Sequence, residues 1–526
     1  MDESARILAV DLGTSGPKVA LADARGRILD SELQETGLIL LPDGGAEQDP
    51  AEWWQAIVAA TRRLLARHPE ERNQITAVAC TSQWSGTVAV DRSGRPLMNA
   101  IIWMDARGAP YVRRITGGPI TLEGYGVDKL WHWIRRTGGI PTRSGKDSIA
   151  HILYLKHAQP HIYRQAYKFL EPKDYLNLRL TGRFAASYDS ITLHWVTDNR
   201  DIHCIDYDPL LLRLAGIERE KLPELKPAVD ILGTVQPAAA QELGIPATAQ
   251  VILGTPDLHS AAIGSGAVAD YQAHLYIGTS AWISCHVPFK KTDLFHNMAS
   301  LPSALPGRYF LVNEQETAGA CLAWLRDNLF FHPDGLGPST PPEDVYPRFD
   351  RLAAQAPPGS GGVLFTPWLN GERTPVDDHR VRGGFHHLSL QTNRQHLVRA
   401  VFEGVAFNAR WLLTYAERFA KRPFESIRFI GGGARSQVWC QILADVLERP
   451  IHQVEEPIQA NARGAALLAA LALGALTVAE IPEQVRVARV FQPDPGNRAV
   501  YRKMYRAFRA IYRRVHKIHA GMEGTE

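Results

Sequence analysis

One short phrase occurs twice in this chain, once near the start and once past the midpoint. The first copy is Ile7-Leu8-Ala9-Val10-Asp11-Leu12-Gly13-Thr14-Ser15-Gly16; the second is Leu275-Tyr276-Ile277-Gly278-Thr279-Ser280-Ala281. Each time a β-rich apolar run meets Gly-Thr-Ser and a second strand-like run follows, Val19-Ala20-Leu21 in one case and Trp282-Ile283-Ser284-Cys285 in the other. A strand, a tight turn and a return strand gather backbone N–H groups and hydroxyls at one point, which makes a small anion-binding nest. One nest per half predicts a phosphate chain gripped from two sides, and so a nucleotide held in a cleft between two related domains.

Length agrees with that reading. A chain of 526 residues is too long for one core, and two large domains are the default. Pro and Gly recur over residues 223–250, which marks a connection. The expected division is residues 1–250, residues 251–485 and a helical tail over 486–526. The net charge of +3 is small for this length and gives no reason to propose nucleic acid or a membrane as partner. The five cysteines are scattered, with no Cys-x-x-Cys spacing, as expected of reduced thiols in a cytoplasmic protein. The first strand begins almost at once, so no leader is expected. The longest apolar stretch, residues 464–479, is shorter than a membrane span and reads as a buried helix.

Local signals fill in the elements. Asp49 fits an N-cap, Pro50 the first helical position and Glu52 the third member of a capping box. Trp53, Trp54, Ile57, Val58 and Leu64-Leu65 give that helix an apolar, core-facing side. Residues 75–80 read as a buried strand that runs into the polar segment Thr81-Ser82-Gln83-Trp84-Ser85-Gly86. Residues 100–107 hold Trp103 and Asp105 at another strand end, and such ends are where α/β sheets place their ligands. Residues 117–146 are rich in Gly and Arg and resist assignment. Residues 332–358 read as a surface loop, and residues 501–519 as an amphipathic helix docked on the protein.

Three places carry candidate chemistry. Asp11 ends a buried strand beside the first nest, where a carboxylate would repel phosphates unless a divalent cation stood between them. Magnesium suits that place because one or two carboxylates suffice to hold it. Asp257 follows the strand that ends in Gly254-Thr255-Pro256 and stands at a helix start, either as a cap or as a general base. His259 is a weaker candidate for the base. Gly431-Gly432-Gly433 joins a strand to a helix that starts at Ser436, and glycines there let the backbone approach a flat ring or a ribose.

In this order, the two nests, the two aspartates and the glycine turn resemble the FGGY family of carbohydrate kinases, within the actin-like ATPase superfamily. Gly371-Glu372-Arg373-Thr374-Pro375, residues 399–404, Pro172-Lys173-Asp174-Tyr175, Leu180-Thr181-Gly182 and Asp189 are similar to further family segments, so the resemblance spans nearly the whole chain. It implies an α/β fold of two actin-like (ribonuclease-H-like) ATPase domains around a central cleft. It implies ATP and Mg2+ as cofactors and transfer of the γ-phosphoryl group to a small sugar. In that scheme Gly13, Thr14, Ser15, Lys18, Gly278, Thr279, Ser280, Gly432, Gly433 and Ser436 bind nucleotide, and Asp11 aligns magnesium directly or through water. Asp257 takes the proton of the attacking hydroxyl, and Gln83, Trp84, Ser85, Trp103 and Asp105 line the sugar pocket with it. The Trp-x-Asp-x-Arg pattern at 103–107 looks most like xylulokinase-type members, which points to a ketopentose such as D-xylulose, with another ketose or a sugar alcohol as the alternative. Trp84-Ser85 departs from the Met-His usual there, so the pattern leaves the sugar open. The resemblance is compatible with a homodimer. Two other classes compete. An actin-like or chaperone-like ATPase would share the nests without needing tryptophan-bearing strand ends, and a non-catalytic regulator would not need both Asp11 and Asp257.

Overall fold

The computed structural model describes residues 4–522. Strands β1 (Arg6–Gly13) and β2 (Gly16–Asp23) form the expected hairpin, and their register pairs Gly13 with Gly16, so Thr14-Ser15 is a two-residue loop. Gly16 has φ +134°, and a Cβ there would lie 2.1 Å from the Gln34 carbonyl oxygen, so only glycine fits. β3 (Ile28–Leu33) extends the hairpin, and α1 (Pro50–Arg67) leads to β4 (Ile75–Ser82), parallel to β1. Asp49 caps α1 by accepting from the Ala51 N–H. Glu52 does not close a capping box; its carboxylate accepts from the Gly37 N–H instead (3.0 Å), pinning the loop that follows β3. Trp53 and Trp54 pack in the core between α1 and the sheet, as the apolar spacing predicts.

The first sheet is completed by β5 (Ile231–Thr234) and β6 (Gln250–Ile252), in the order β5-β6-β4-β1-β2-β3. This corrects the expected start of the second half at residue 251. Val251 lies inside the first sheet, where it pairs in parallel with Val78. Between β4 and β5 the chain adds helices α2 (Ser148–Ala158) and α3 (Pro172–Thr181).

Helix α4 (Asp257–Gly264) leaves the first sheet, and the second sheet begins with the hairpin β7 (Ala273–Ile277) and β8 (Ala281–Ser284). Here Ile277 pairs with Ala281, so Gly278-Thr279-Ser280 is a three-residue turn. Helix α5 (Val345–Gln355) falls inside the stretch expected to be loop. Its Val345, Phe349 and Ala353 recur at helical spacing and are buried, a signal masked by the surrounding Pro and Gly. The long helix α6 (Arg394–Ala420) precedes β9 (Ile427–Ile430), α7 (Gln437–Leu447) and β10 (Ile451–Val454). The sheet runs β8-β7-β9-β10-β11, where β11 is Val487–Phe491. In both sheets a hairpin's first strand is followed laterally by parallel crossover strands, so the repeated phrase marks a repeated topology.

Helix α8 (Ala460–Ala472) holds the halves together. It packs on α4 and across β1 and β4 of the first sheet. The terminal helix α9 (Arg498–Met522) docks on the second half through Tyr501, Met504 and Phe508. The Tyr501 hydroxyl donates to Glu403 (3.0 Å) and accepts from Arg399 (2.8 Å). Among the described residues no helix is long and apolar enough to cross a membrane.

Candidate active site between two hydroxyl-bearing turns

The two turns open onto one cavity of about 520 Å³ between the sheets. Its wall includes Asp11, Gly13, Thr14, Ser15 and Lys18 from the first hairpin, Thr279 and Ser280 from the second, and Asp257 from the start of α4. Gln83, Trp84, Ser85 and Trp103 line it as well. Asp11 and Gln83 stand at the ends of parallel strands of the first sheet, Asp257 follows β6 by a few residues, and the two hairpin turns add the rest, so residues far apart in the chain meet at one edge of the sheets.

The first turn is braced. The Thr14 hydroxyl donates to the Gln83 side-chain oxygen (3.1 Å) and accepts from the Trp103 indole N–H (3.0 Å). The Gln83 amide donates to Gln48 (2.7 Å), and the Gln48 amide donates back to the Thr14 carbonyl (2.8 Å). Gln83 and Trp103 thus face the cavity while holding the loop in shape. The Lys18 ammonium reaches the Ile458 carbonyl of the second half (2.6 Å).

Asp257 is the first residue of α4 rather than its cap; Pro256 holds the cap position. Burial, and next the negative charge of Asp11, push the Asp257 carboxyl up to about 8. Asp11 is also raised by burial, against the lowering effects of Lys18 and the Asn461 amide. A buried and a half-buried carboxyl group that repel each other in a polar cleft are a functional-site signature.

The segment that leads to Asp257 is anchored by a fully buried polar cluster. Lys173 is ion-paired with Asp174 and donates to the Leu253 carbonyl (2.9 Å), which also accepts from Asn177 (2.6 Å). Ser190 donates to Asp174 (2.9 Å), and Thr255 donates to Asp189. This gives a physical role to the Lys-Asp pair and Asp189, which the sequence marked only by resemblance. Lys173→Met leaves Asp174 as a buried charge held by a single hydroxyl. The expected result is a loss of about 3–5 kcal/mol in urea denaturation. His259 lies beneath the cavity wall, packed between Trp84 (5.4 Å, edge-on) and Phe310 (4.7 Å), and does not line the cavity, so it serves the core rather than as the base.

Not every expected residue reaches the cavity. Asp105 is 1% exposed and belongs to a buried ion-pair network. Its carboxylate accepts from the Ala46 N–H (3.0 Å) and the Arg107 guanidinium (2.9 Å), and Arg107 also pairs with Glu47 (2.6 Å). All of its acceptor capacity is turned inward, so Asp105 is structural and not a sugar ligand. Trp84 lines the cavity, and its indole N–H donates to the Ser190 carbonyl (2.9 Å). Ser85, at φ +63°, spends its hydroxyl on the Lys146 carbonyl (2.7 Å).

Gly278, Gly432, Gly433 and Ser436 lie outside this cavity wall. A Cβ on Gly433 would lie 2.8 Å from Ile277, so the glycine turn packs directly behind the second hydroxyl turn. A Cβ on Gly432 would meet nothing within 4 Å, which leaves an open face for a flat ligand. Ser436 caps α7 through the Trp439 N–H and donates to Asp350 (2.7 Å).

The sequence missed one side of the cavity. Lys146 ends the unassigned Gly- and Arg-rich stretch, Asp147 follows it at the start of α2, Trp195 comes from a short connection, and Glu314 comes from a loop. Arg373 was noted only as part of a motif. Its guanidinium pairs with Glu314 and with Glu316 (2.5 Å) and sits 5.8 Å over the Trp103 ring. No periodicity announces such residues, because folding alone brings them together.

Comparison with known proteins places this geometry. Residues 6–264 match the N-terminal domain, and residues 274–473 the C-terminal domain, of the FGGY family of carbohydrate kinases. The xylulose kinase of Escherichia coli (strain K12) is 30% identical over 525 residues, covering 97% of this chain and 99% of that protein. The solved gluconate kinase of Lactobacillus acidophilus superposes with a TM-score of 0.85 at 26% identity, covering 98% of this chain and 99% of that one. The ligand-bound xylulose kinase of the same organism has a TM-score of 0.85 at 25% identity, covering 98% and 100%. With matching domains in matching order and relatives spanning its full length, the chain belongs to the FGGY family of carbohydrate kinases and is a sugar phosphotransferase.

Proposed function

We propose that the protein transfers the γ-phosphoryl group of ATP to a hydroxyl of a small ketose of the D-xylulose type. The observation that supports this most is the convergence of Thr14, Ser15, Thr279, Ser280 and Asp257 on one cavity. Phosphoryl transfer asks a protein mainly for positioning and for stabilisation of charge on the phosphoryl oxygens. Hydroxyls and N–H groups from opposing turns supply both when the tail of ATP lies between them. The open face at Gly432 suits the adenosine end. Asp257 accepts the proton of the attacking alcohol, and a carboxyl tuned to about 8 is near the optimum for a general base at neutral pH.

The Asp11 carboxylate fits a magnesium site. It is buried and repels Asp257, and a divalent cation with its waters and phosphate oxygens would relieve that repulsion. Magnesium, when bound, supplies charge neutralisation on the phosphates. The remaining work, alignment and proton acceptance, falls to the side chains above.

A cytoplasmic location accords with five free cysteines. A homodimer is the assembly we expect, and light scattering measures it. The function is tested by ADP release from the purified protein with a panel of ketoses, sugar alcohols and D-gluconate. The expected result is low turnover with ATP alone and strong stimulation by D-xylulose or a close ketose. ATP turnover indifferent to every sugar would overturn the proposal and favour the actin- or chaperone-like ATPase.

A further inference from the structure

The relatives are named for two chemically different acceptors, a neutral ketose and the acid gluconate. The cavity wall bears on that choice. Six carboxylates line it, Asp11, Asp147, Asp257, Asp293, Glu314 and Asp377, against three Lys or Arg side chains, Lys18, Lys146 and Arg373. Each of those cations already has a protein partner, although the Arg373 Nη2 makes no hydrogen bond. Lys18 donates to the Ile458 carbonyl, Lys146 faces Glu316 (3.4 Å), and Arg373 is held by Glu314 and Glu316. His379, also in the wall, is paired with Asp377 (3.1 Å).

Asp147 stands out within this wall. It occupies the N-cap position of α2, where an aspartate normally accepts from its own helix's N–H groups and contributes about 0.5–2 kcal/mol. Here the side chain makes no cap bond. It is turned away from its helix and held by the Thr142 N–H (2.7 Å) and the Trp195 indole N–H (2.7 Å). Both bonds end on Oδ2, and Oδ1 receives neither. The residue is 6% exposed, and what it exposes is cavity wall. A carboxyl group that gives up its cap, is locked by two donors and borders a ligand cavity is placed to accept hydrogen bonds from ligand hydroxyls.

We propose that Asp147 reads the acceptor. Its Oδ1 takes hydrogen bonds from sugar hydroxyls not involved in transfer, and with Glu314 it makes the site select neutral ketoses and polyols and refuse aldonates. This deepens the sugar-kinase reading above and rests on it for the identity of the cavity. An aldonate carboxylate would meet a wall with more carboxyl groups than cations, a repulsive term of the kind that gives specificity. A hydroxyl-rich neutral ligand meets acceptors already desolvated and fixed.

Binding and turnover are measured separately, so that the two claims fail separately. Trp84, Trp103 and Trp195 line the cavity, and their fluorescence reports sugar binding even where no phosphoryl group moves. The wild-type protein is titrated with D-xylulose, xylitol and D-gluconate. Binding of a neutral sugar at least about tenfold tighter than gluconate is expected. Asp147→Asn, nearly the same size but uncharged, is expected to weaken the neutral ligand by about tenfold or more, to narrow the gap to gluconate, and to leave the KM for ATP unchanged. Trp195→Phe, which removes one brace but keeps the carboxylate, separates reading from scaffolding. It is expected to keep the preference over gluconate that Asp147→Asn loses. Gluconate binding as well as the neutral sugars, absence of binding by any neutral sugar, unchanged selectivity in Asp147→Asn, or equal losses in the two variants would overturn the proposal. Selective binding without phosphorylation would instead overturn the proposed function alone.

Discussion

Asp257→Asn is expected to lower kcat by about 10²–10⁴-fold while leaving the KM values for sugar and ATP within a few-fold. The asparagine keeps the size and one oxygen but accepts no proton, so the loss falls on the transfer step. The wild-type pH profile carries the same information. Burial and the Asp11 charge push the carboxyl up to about 8, and magnesium at Asp11 would relieve the charge part, so kcat/KM for the sugar is expected to rise with pH to a midpoint at or below that value. The variant lacks this limb. Stability moves the opposite way. Asp257 has a folded pKa near 8 against an ordinary value of 3.8, so between those values the folded protein holds a proton that the unfolded chain has released. Stability therefore falls as pH rises through that window, and the asparagine variant escapes the loss. Above pH 8 it is expected to melt higher than wild type, with the difference closing toward pH 4. A variant with near wild-type kcat would remove Asp257 from its role as base.

Gly464→Ala is expected to destabilise the protein by about 1–3 kcal/mol in urea denaturation, even though alanine is otherwise the better helix former by ~1 kcal/mol. The reason is the crossing of α4 and α8. A Cβ on Gly464 would lie 1.9 Å from the Ser260 carbonyl oxygen, and a Cβ on Gly264 would lie 1.7 Å from that of Ala460. The helices meet backbone to backbone, and hydrogen bonds from Ser260 to the Asn461 carbonyl (2.7 Å) and from Arg463 to the Gly264 carbonyl (3.1 Å) clamp the crossing. One methyl group must push them apart. Since α4 carries Asp257 and α8 carries Asn461 beside Asp11, activity is expected to fall with stability, and Gly464→Val more steeply than Gly464→Ala. Wild-type melting and activity in Gly464→Ala would show that the crossing has slack.

Much of the site was legible because its most specific parts are local. A Gly-Thr-Ser turn between two strands carries its own hydrogen-bonding geometry, so Asp11, Thr14, Ser15, Thr279 and Ser280 could be placed from the chain alone. The α1 cap at Asp49 and the buried tryptophans of that helix were readable for the same reason, since helical spacing is a short-range pattern. Three misplacements share the opposite cause. Val251 was assigned to the wrong half because an apolar strand does not say which sheet it joins. Asp105 was read as a ligand because a carboxylate at a strand end looks alike whether it faces a cavity or an arginine. Helix α5 was lost among the prolines and glycines around it.

Sequence by itself determined the repeated hydroxyl-bearing turns, the two aspartates and the family, since each depends on residue types within a few positions of one another. Only the tertiary structure decided which side chains line the cavity. Asp147, Glu314 and Arg373 become neighbours through chain crossings between the halves, and whether a charge is spent on a protein partner or left for a ligand depends on what folding puts within hydrogen-bond reach.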